Sequence, residues 1–220
     1  NYISLRINNH WDTGDLVSQV FEKLIEKYFG TWNTLNEKVT DYSKPEFLNN
    51  HFFKKKNIEQ LHLSLGIPGV ENGSSDLYTL LILNNMYGGM ASSILFQKIR
   101  EERGLCYSIY SYITSFNNVG AVVVYAGLNA KYAYDVIARI KEEMLKFSSS
   151  IITEDRLKKS KEQLKGNYIL GLESISSRMF NNGKSLLLLN RLNIPEDIIE
   201  KINNIDKESI ERVMKNTFYR

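Results

Sequence analysis

Cysteine is nearly missing from this sequence. Cys106, alone among 220 residues, excludes an internal disulfide framework and any multi-cysteine metal site. A single thiol fits a reducing compartment, and a cytoplasmic location is expected from it. Proline occurs only at Pro45, Pro68 and Pro195, and no collagen-like or low-complexity stretch is present. No apolar run approaches the roughly 18 residues that a membrane-spanning helix needs, and no basic-then-apolar leader precedes a small-residue cleavage site. Neither sign of charge dominates. With 28 Lys and Arg against 25 Asp and Glu the balance is +3, too mild to imply nucleic acid. No motif recurs at a period of roughly 20 to 50 residues, which excludes solenoids and propellers.

What is present is a chain 43% hydrophobic and 24% charged, enough for one generous domain or for a domain plus a fragment of another. It opens at Asn1 rather than at a methionine and is expected to be a piece of something longer. Tyr2 to Ile7 alternates as a short strand. A helix follows, with Asp15 placed to cap it, Leu16, Val20, Leu24 and Ile25 at helical spacing, and Gly30 at its end. From Trp32 to Asn57 periodicity is lost, and a linker or extended crossover is expected there.

A second unit begins near Ile58. Leu61, Leu63, Leu65 and Ile67 alternate with Gln60, His62, Ser64 and Gly66, the pattern of a strand with one buried face. Ser74 or Ser75, then Asp76, opens an apolar helix stopped at Gly88 and Gly89. Ser92 or Ser93 caps a second helix, carrying Leu95, Phe96 and Ile99, that Gly104 terminates. Two β runs, Cys106 to Phe116 and Val119 to Leu128, are joined by Asn117 and Asn118 as a hairpin. Helices then follow, at Ala130 to Phe147, in a long run from Glu154 capped by Thr153, from Pro195, and from Asp206. The class this predicts is α+β, a mainly antiparallel sheet with helices packed on one face.

Chemistry is sparse. His10, His51 and His62 lie far apart, and none has a ligand partner at i+3 or i+4, so no zinc site is read. Cys106 has no nearby histidine and reads as a small buried hydrophobe. Lys54 to Lys56 read as a solvated loop, and the glycine pairs as turns. Tyr107, Tyr110, Tyr112 and Tyr125 cluster in the hairpin, where alternation puts Tyr107 on one face and Tyr110 with Tyr112 on the other. Some of these phenols serve strand preference, and others are open to a ligand. The helix stop at Gly104 folds the chain between Arg100 and Tyr107. A guanidinium beside a phenol offers several donors and no negative charge, which suits a peptide carbonyl or the oxyanion that develops on it. Arg100 is also placed to pair with Glu101 or Glu102.

The segments Gly66-Ile-Pro-Gly69, Leu83-Asn-Asn-Met-Tyr-Gly-Gly89 and Ser92-Ser-Ile-Leu-Phe-Gln-Lys-Ile-Arg-Glu-Glu-Arg-Gly-Leu-Cys-Tyr107 resemble the C-terminal half of the pitrilysin or insulinase family of zinc peptidases, family M16. The likeness runs on to about Tyr219, and Ile3 to Trp32 resembles the strand, helix and Phe-Gly-x-Trp tail that close the preceding family domain. Ile94 departs from it, standing where members often carry arginine. The resemblance implies residues 1–32 as the terminal strand and helix of a preceding M16 domain, 33–57 as linker, and 58–220 as the inactive C-terminal domain without its last strand and helix. Residues 2 to 30 are expected to fill that vacant place, in the same molecule or a neighbour. In the family, one half carries His-x-x-Glu-His and zinc, and the other closes over the substrate. This sequence contains no His-x-x-Glu-His. The implied function is therefore that of a non-catalytic half of a zinc metalloendopeptidase, closing the proteolytic chamber and binding extended peptide through Arg100 and Tyr107. No catalytic residue and no metal ligand is expected in this chain, and zinc is expected in the N-terminal half. Its partners would be peptide substrate, the zinc-bearing half in cis or trans, and a second copy in a homo-oligomer, with no nucleic acid and no membrane. The alternative is a degenerate scaffold or assembly subunit that keeps the fold without proteolysis.

Overall fold

The computed structural model describes residues 13–32, 43 and 45–219. The chain divides into two compact units, Asn1–Tyr42 and Ser43–Arg220. In the first, helix α1 covers Thr13–Phe29, so it starts two residues ahead of the expected cap at Asp15. Its stripe of Val20, Phe21, Leu24, Ile25 and Tyr28 is exposed. Beyond it Phe29 and Trp32 meet edge to face at 5.0 Å. The strand expected at Tyr2 to Ile7, and with it the placement of residues 2 to 30 in the sheet, lies outside the described residues.

The second unit is built on three antiparallel strands, β1 (Leu61–Pro68), β2 (Ser108–Ser115) and β3 (Gly120–Leu128), in the order β1-β3-β2. The register pairs Leu65 with Val124 and Ser111 with Val124, so Leu61, Leu63, Leu65, Ile109, Val122, Val124 and Ala126 share one face. Period-2 alternation of apolar residues produces this face, and the helices bury it. Those helices are α2 (Leu77–Tyr87), α3 (Ala133–Ser148), α4 (Glu154–Leu172), α5 (Ile175–Leu189), α6 (Pro195–Asn203) and α7 (Lys207–Phe218). This unit is thus α+β, with the second sheet face open among the described residues.

One helical expectation needs correction. The helix from Ser93 does not continue as α. Phe96–Glu101 forms a π-helical turn, in which Glu102 N donates to Gln97 O at 2.9 Å. The spacing of Leu95, Phe96 and Ile99 fits either geometry, so it does not report the extra residue in the turn. The long helix from Glu154 forms as α4, and beyond its end at Leu172 the Ser174 hydroxyl accepts from Ser177 N and caps a further helix, α5, that the sequence did not mark. At Ala130 a 3-10 turn precedes α3, capped by the Asn129 side chain. Caps at Thr153 and Asp206 and the proline at the first turn of α6 form where expected.

An aromatic triad centres the core. Tyr87 at the end of α2 stacks on Phe147 of α3 at 5.4 Å, and both rings meet Phe218 of α7 edge-on at 5.4 and 5.3 Å. All three are fully buried or nearly so. The Tyr87 hydroxyl donates to Ile140 O at 3.0 Å, which satisfies a polar tip that would otherwise be costly at this depth. Burial, with the Glu143 charge adding to it, holds that phenol well above its ordinary pKa. It therefore remains a donor wherever the protein is folded. At the periphery, the Arg212 guanidinium grips both Asp76 oxygens at 2.5 and 2.7 Å and ties α7 to the start of α2. Lys161 and Lys165 of α4 donate to Asn203 at the end of α6.

Tyr87→Phe is expected to cost about 1 kcal/mol and Tyr87→Ala about 3 to 5 kcal/mol, the latter by opening a cavity between three helices. Urea unfolding of both variants checks the ordering.

Candidate functional site

The site forms where α2, the π-helical turn and the edge strand β2 converge. Gly88 ends α2, its N–H donating to Asn84 O at 2.9 Å. Its carbonyl accepts from Ser111 N at 2.9 Å, which joins the Gly88–Gly89 loop to the open edge of β2. A Cβ at position 88 would stand 2.5 Å from Ser111 Oγ and 2.8 Å from Leu95 Cδ1, so this close approach needs glycine. Below the loop, Asn84 Nδ2 donates to Ser111 O at 3.2 Å, a buried polar link between α2 and the sheet.

From that loop the chain enters the π-helical turn. Ser93 Oγ accepts from Phe96 N at 3.5 Å, and Gln97 Nε2 donates to Ala91 O at 2.7 Å. The turn closes at Gly104, whose φ of 61° is the left-handed conformation that glycine adopts without strain. The chain then reverses, and Tyr107 N donates to Gly127 O at 2.8 Å. Arg100 and Tyr107 thereby face each other across the reversal. Arg100 Nε donates to the Tyr107 carbonyl at 2.9 Å, and Nη1 pairs with Glu101 Oε1 at 2.9 Å. The guanidinium carbon lies 4.6 Å from the centre of the Phe96 ring, within cation–π range.

A cleft of about 410 Å³ opens here, bounded by Gly88, Gly89, Phe96, Arg100, Tyr107 and Tyr110. The Tyr107 side chain is 57% exposed and its phenol makes no hydrogen bond among the described residues. Of the guanidinium's five N–H groups, two are engaged and the rest are not among the described bonds. The cleft thus offers several uncommitted donors and carries a cation on its rim. Donors and a cation of this kind suit acceptor oxygens and negative charge.

The structure relocates several residues singled out in the sequence. Alternation would set Tyr107 opposite Tyr110 and Tyr112, yet all three phenols are exposed, because strand pairing begins at Ser108 and Tyr107 lies ahead of the pleat. His62 is exposed, its Nδ1 sharing a 2.7 Å hydrogen bond with the Tyr125 hydroxyl. His10 lies outside the described residues. Lys54 to Lys56 are exposed on irregular backbone. Among the described residues no three His, Cys, Asp or Glu side chains gather to hold a metal. Among them too, no helix is long and apolar enough to cross a membrane. Sequence reasoning missed Phe96 beneath the guanidinium, whereas Tyr110, one of the hairpin phenols it left open to a ligand, stands on the cleft wall. The i, i+4 spacing of Phe96 and Arg100 was the available signal for the missed contact.

Comparison with known proteins bears on this arrangement. Residues 13–164 match the family described as the peptidase M16 inactive domain. The chain is 39% identical over 202 residues to the uncharacterized zinc protease YmxG of Bacillus subtilis (strain 168), covering 92% of this chain and 49% of that protein. It thus spans about half the length of this curated relative. Among solved structures, a protease from Helicobacter pylori superposes with a TM-score of 0.71 at 23% identity, covering 91% of this chain and 50% of that one. A peptidase M16 inactive domain from Pseudomonas fluorescens superposes with a TM-score of 0.62 at 19% identity, over 71% of this chain and 38% of that one. At these identities the two structures establish the fold.

Cys106, beside this cleft, is buried, and burial pushes its thiol up to about 11 against a weaker opposing pull from the Arg100 charge. At neutral pH its thiolate fraction is then roughly a hundredfold below that of a free cysteine. Alkylation by iodoacetamide is expected to be slower by about that factor in the native protein than in denaturant. Comparable rates in the two states would show that the thiol is neither buried nor inert.

Proposed function

The chain belongs to the M16 peptidase family through that family's inactive domain, and we propose that it forms the wall and the grip of a peptide-cleaving chamber whose zinc-bearing half is supplied elsewhere. The observation that carries this reading is the Arg100–Tyr107 cleft, in which uncommitted donors stand beside the edge strand β2. Relatives named zinc proteases support it, and they extend well beyond the length matched here.

In this reading an extended peptide lies across the cleft, its backbone carbonyls accepting from the Arg100 guanidinium and the Tyr107 phenol. The half bearing His-x-x-Glu-His, in cis or in trans, supplies zinc and the water that zinc activates. Arg100 is preset for its task. Its Nε is fixed on the Tyr107 carbonyl and its face rests on Phe96, so little side-chain freedom remains to be lost when substrate arrives. Two donors aimed at developing negative charge supply about 3 to 4 kcal/mol of transition-state stabilisation when both are well placed. The same reading takes residues 1–32 as the end of a preceding domain, 33–57 as a linker and 58–220 as the inactive domain, in a cytoplasmic protein that also associates with a second copy of itself.

In the polypeptide that joins this chain to its zinc-bearing half, Tyr107→Phe is expected to lower kcat for peptide hydrolysis about a hundredfold while leaving the melting temperature in place. Unaltered hydrolysis would refute the role given to the phenol. This chain purified alone is expected neither to cleave peptides nor to hold zinc one to one, and stoichiometric zinc by elemental analysis would contradict the division of labour. A complete polypeptide that hydrolyses nothing, with or without a chelator, would instead favour the scaffold role.

A further inference from the structure

The open face of the sheet carries a row of rings that the fold does not need to leave uncovered. His62 of β1, Tyr125 of β3 and Tyr110 and Tyr112 of β2 all point to this face, as the pairing of Tyr110 with Tyr125 and of His62 with Gly127 requires. The Tyr110 and Tyr125 rings are 5.0 Å apart and those of Tyr110 and Tyr112 6.1 Å. Tyr110 is 46% exposed and Tyr112 45%. The row has a built order. The hydrogen bond shared with His62 fixes the Tyr125 phenol. Gly127 leaves room for it, since a Cβ there would stand 2.8 Å from Ser108 Oγ and 3.4 Å from the Tyr125 hydroxyl. No Asp, Glu, Lys or Arg occupies this face of the three strands.

We propose that this row is a side-chain recognition surface, taking an aromatic or large aliphatic side chain of an extended peptide whose backbone is held at Arg100. The proposal rests on the peptide-binding reading above and specifies which peptides that site prefers. Continuity supports it, because Tyr110 belongs to both features, lining the Arg100–Tyr107 cleft and meeting Tyr125 in the row. Spacing supports it as well. Side chains on one side of an extended chain repeat at about 6.6 Å, close to the separation of the Tyr110 and Tyr112 rings, so a peptide lying over the open face along β2 presents alternate side chains to successive rings. Chemistry decides the class. Uncharged rings bury apolar and aromatic side chains well, and they offer a carboxylate on the peptide no cationic partner.

Two fluorescein-labelled ten-residue peptides test this, alike in every position except one that is Phe in the first and Ala in the second, with binding to the full chain read by fluorescence polarisation. The Phe peptide is expected to bind about tenfold more tightly. Replacing Tyr112 and Tyr125 together by Thr, which keeps strand preference and leaves the cleft lining intact, should abolish that ratio and leave the Ala peptide's affinity unchanged. Arg100→Ala should weaken both peptides by one common factor and preserve the ratio, which separates the two readings. Equal affinity of the two peptides for the unaltered chain overturns the recognition surface and leaves the Arg100 grip standing, whereas no binding of either overturns both. Should the Tyr pair variant melt early, the ratio measured on the unaltered chain decides alone.

Discussion

One hydrogen bond, from the Arg100 side chain to the Tyr107 carbonyl, sets the geometry on which the cleft depends. It closes the reversal at Gly104 and fixes where the chain enters β2 relative to the π-helical turn. Charge-assisted bonds of this kind are stronger than those between neutral groups, and this one is stiffened by the Phe96 ring under the guanidinium. The phenol of Tyr107 projects freely because its own backbone is held twice, by Arg100 and by Gly127. Positioning through main-chain atoms leaves the side chain of Tyr107 available for other partners.

Beneath this rim the support is rigid. The ring cluster of Tyr87, Phe147 and Phe218 locks α2, α3 and α7 together, and α2 in turn delivers Gly88 to the edge of β2. Close-packed aromatic cores transmit position well because they have few alternative arrangements. The helix-covered face and the open face thus divide their duties. The first holds the strands in place, and the second is free to be polar, aromatic and accessible.

Much of this was legible in the residues. Period-2 alternation at Leu61, Leu63 and Leu65 marked the buried face, and Thr153, Pro195 and Asp206 marked helix starts, because capping and proline chemistry act within a few residues. The break at Glu173 was hidden, since Leu170, Leu172 and Ile175 keep apolar spacing across it and only the Ser174 hydroxyl bond to Ser177 N declares it. The π-helical turn was hidden for a related reason, as Phe96 and Ile99 fit the α pattern equally well. Arg100 and Tyr107 drew notice through the glycine between them. That Arg100 holds the backbone of Tyr107 rather than its side chain depends on rotamers and on the extra residue in the turn, which pattern alone does not encode.

That extra residue makes the site a matter of counting as well as of chemistry. A π turn is an α-helix with one residue inserted, and each residue of an α-helix advances the azimuth by about 100°. Removing any single residue between Phe96 and Arg100 would wind the segment back to the commoner helix and shorten the four-residue spacing that sets the guanidinium over the Phe96 ring. Residue count is thus part of the site here, a property that substitution scanning would not detect and that a one-codon deletion would expose at once.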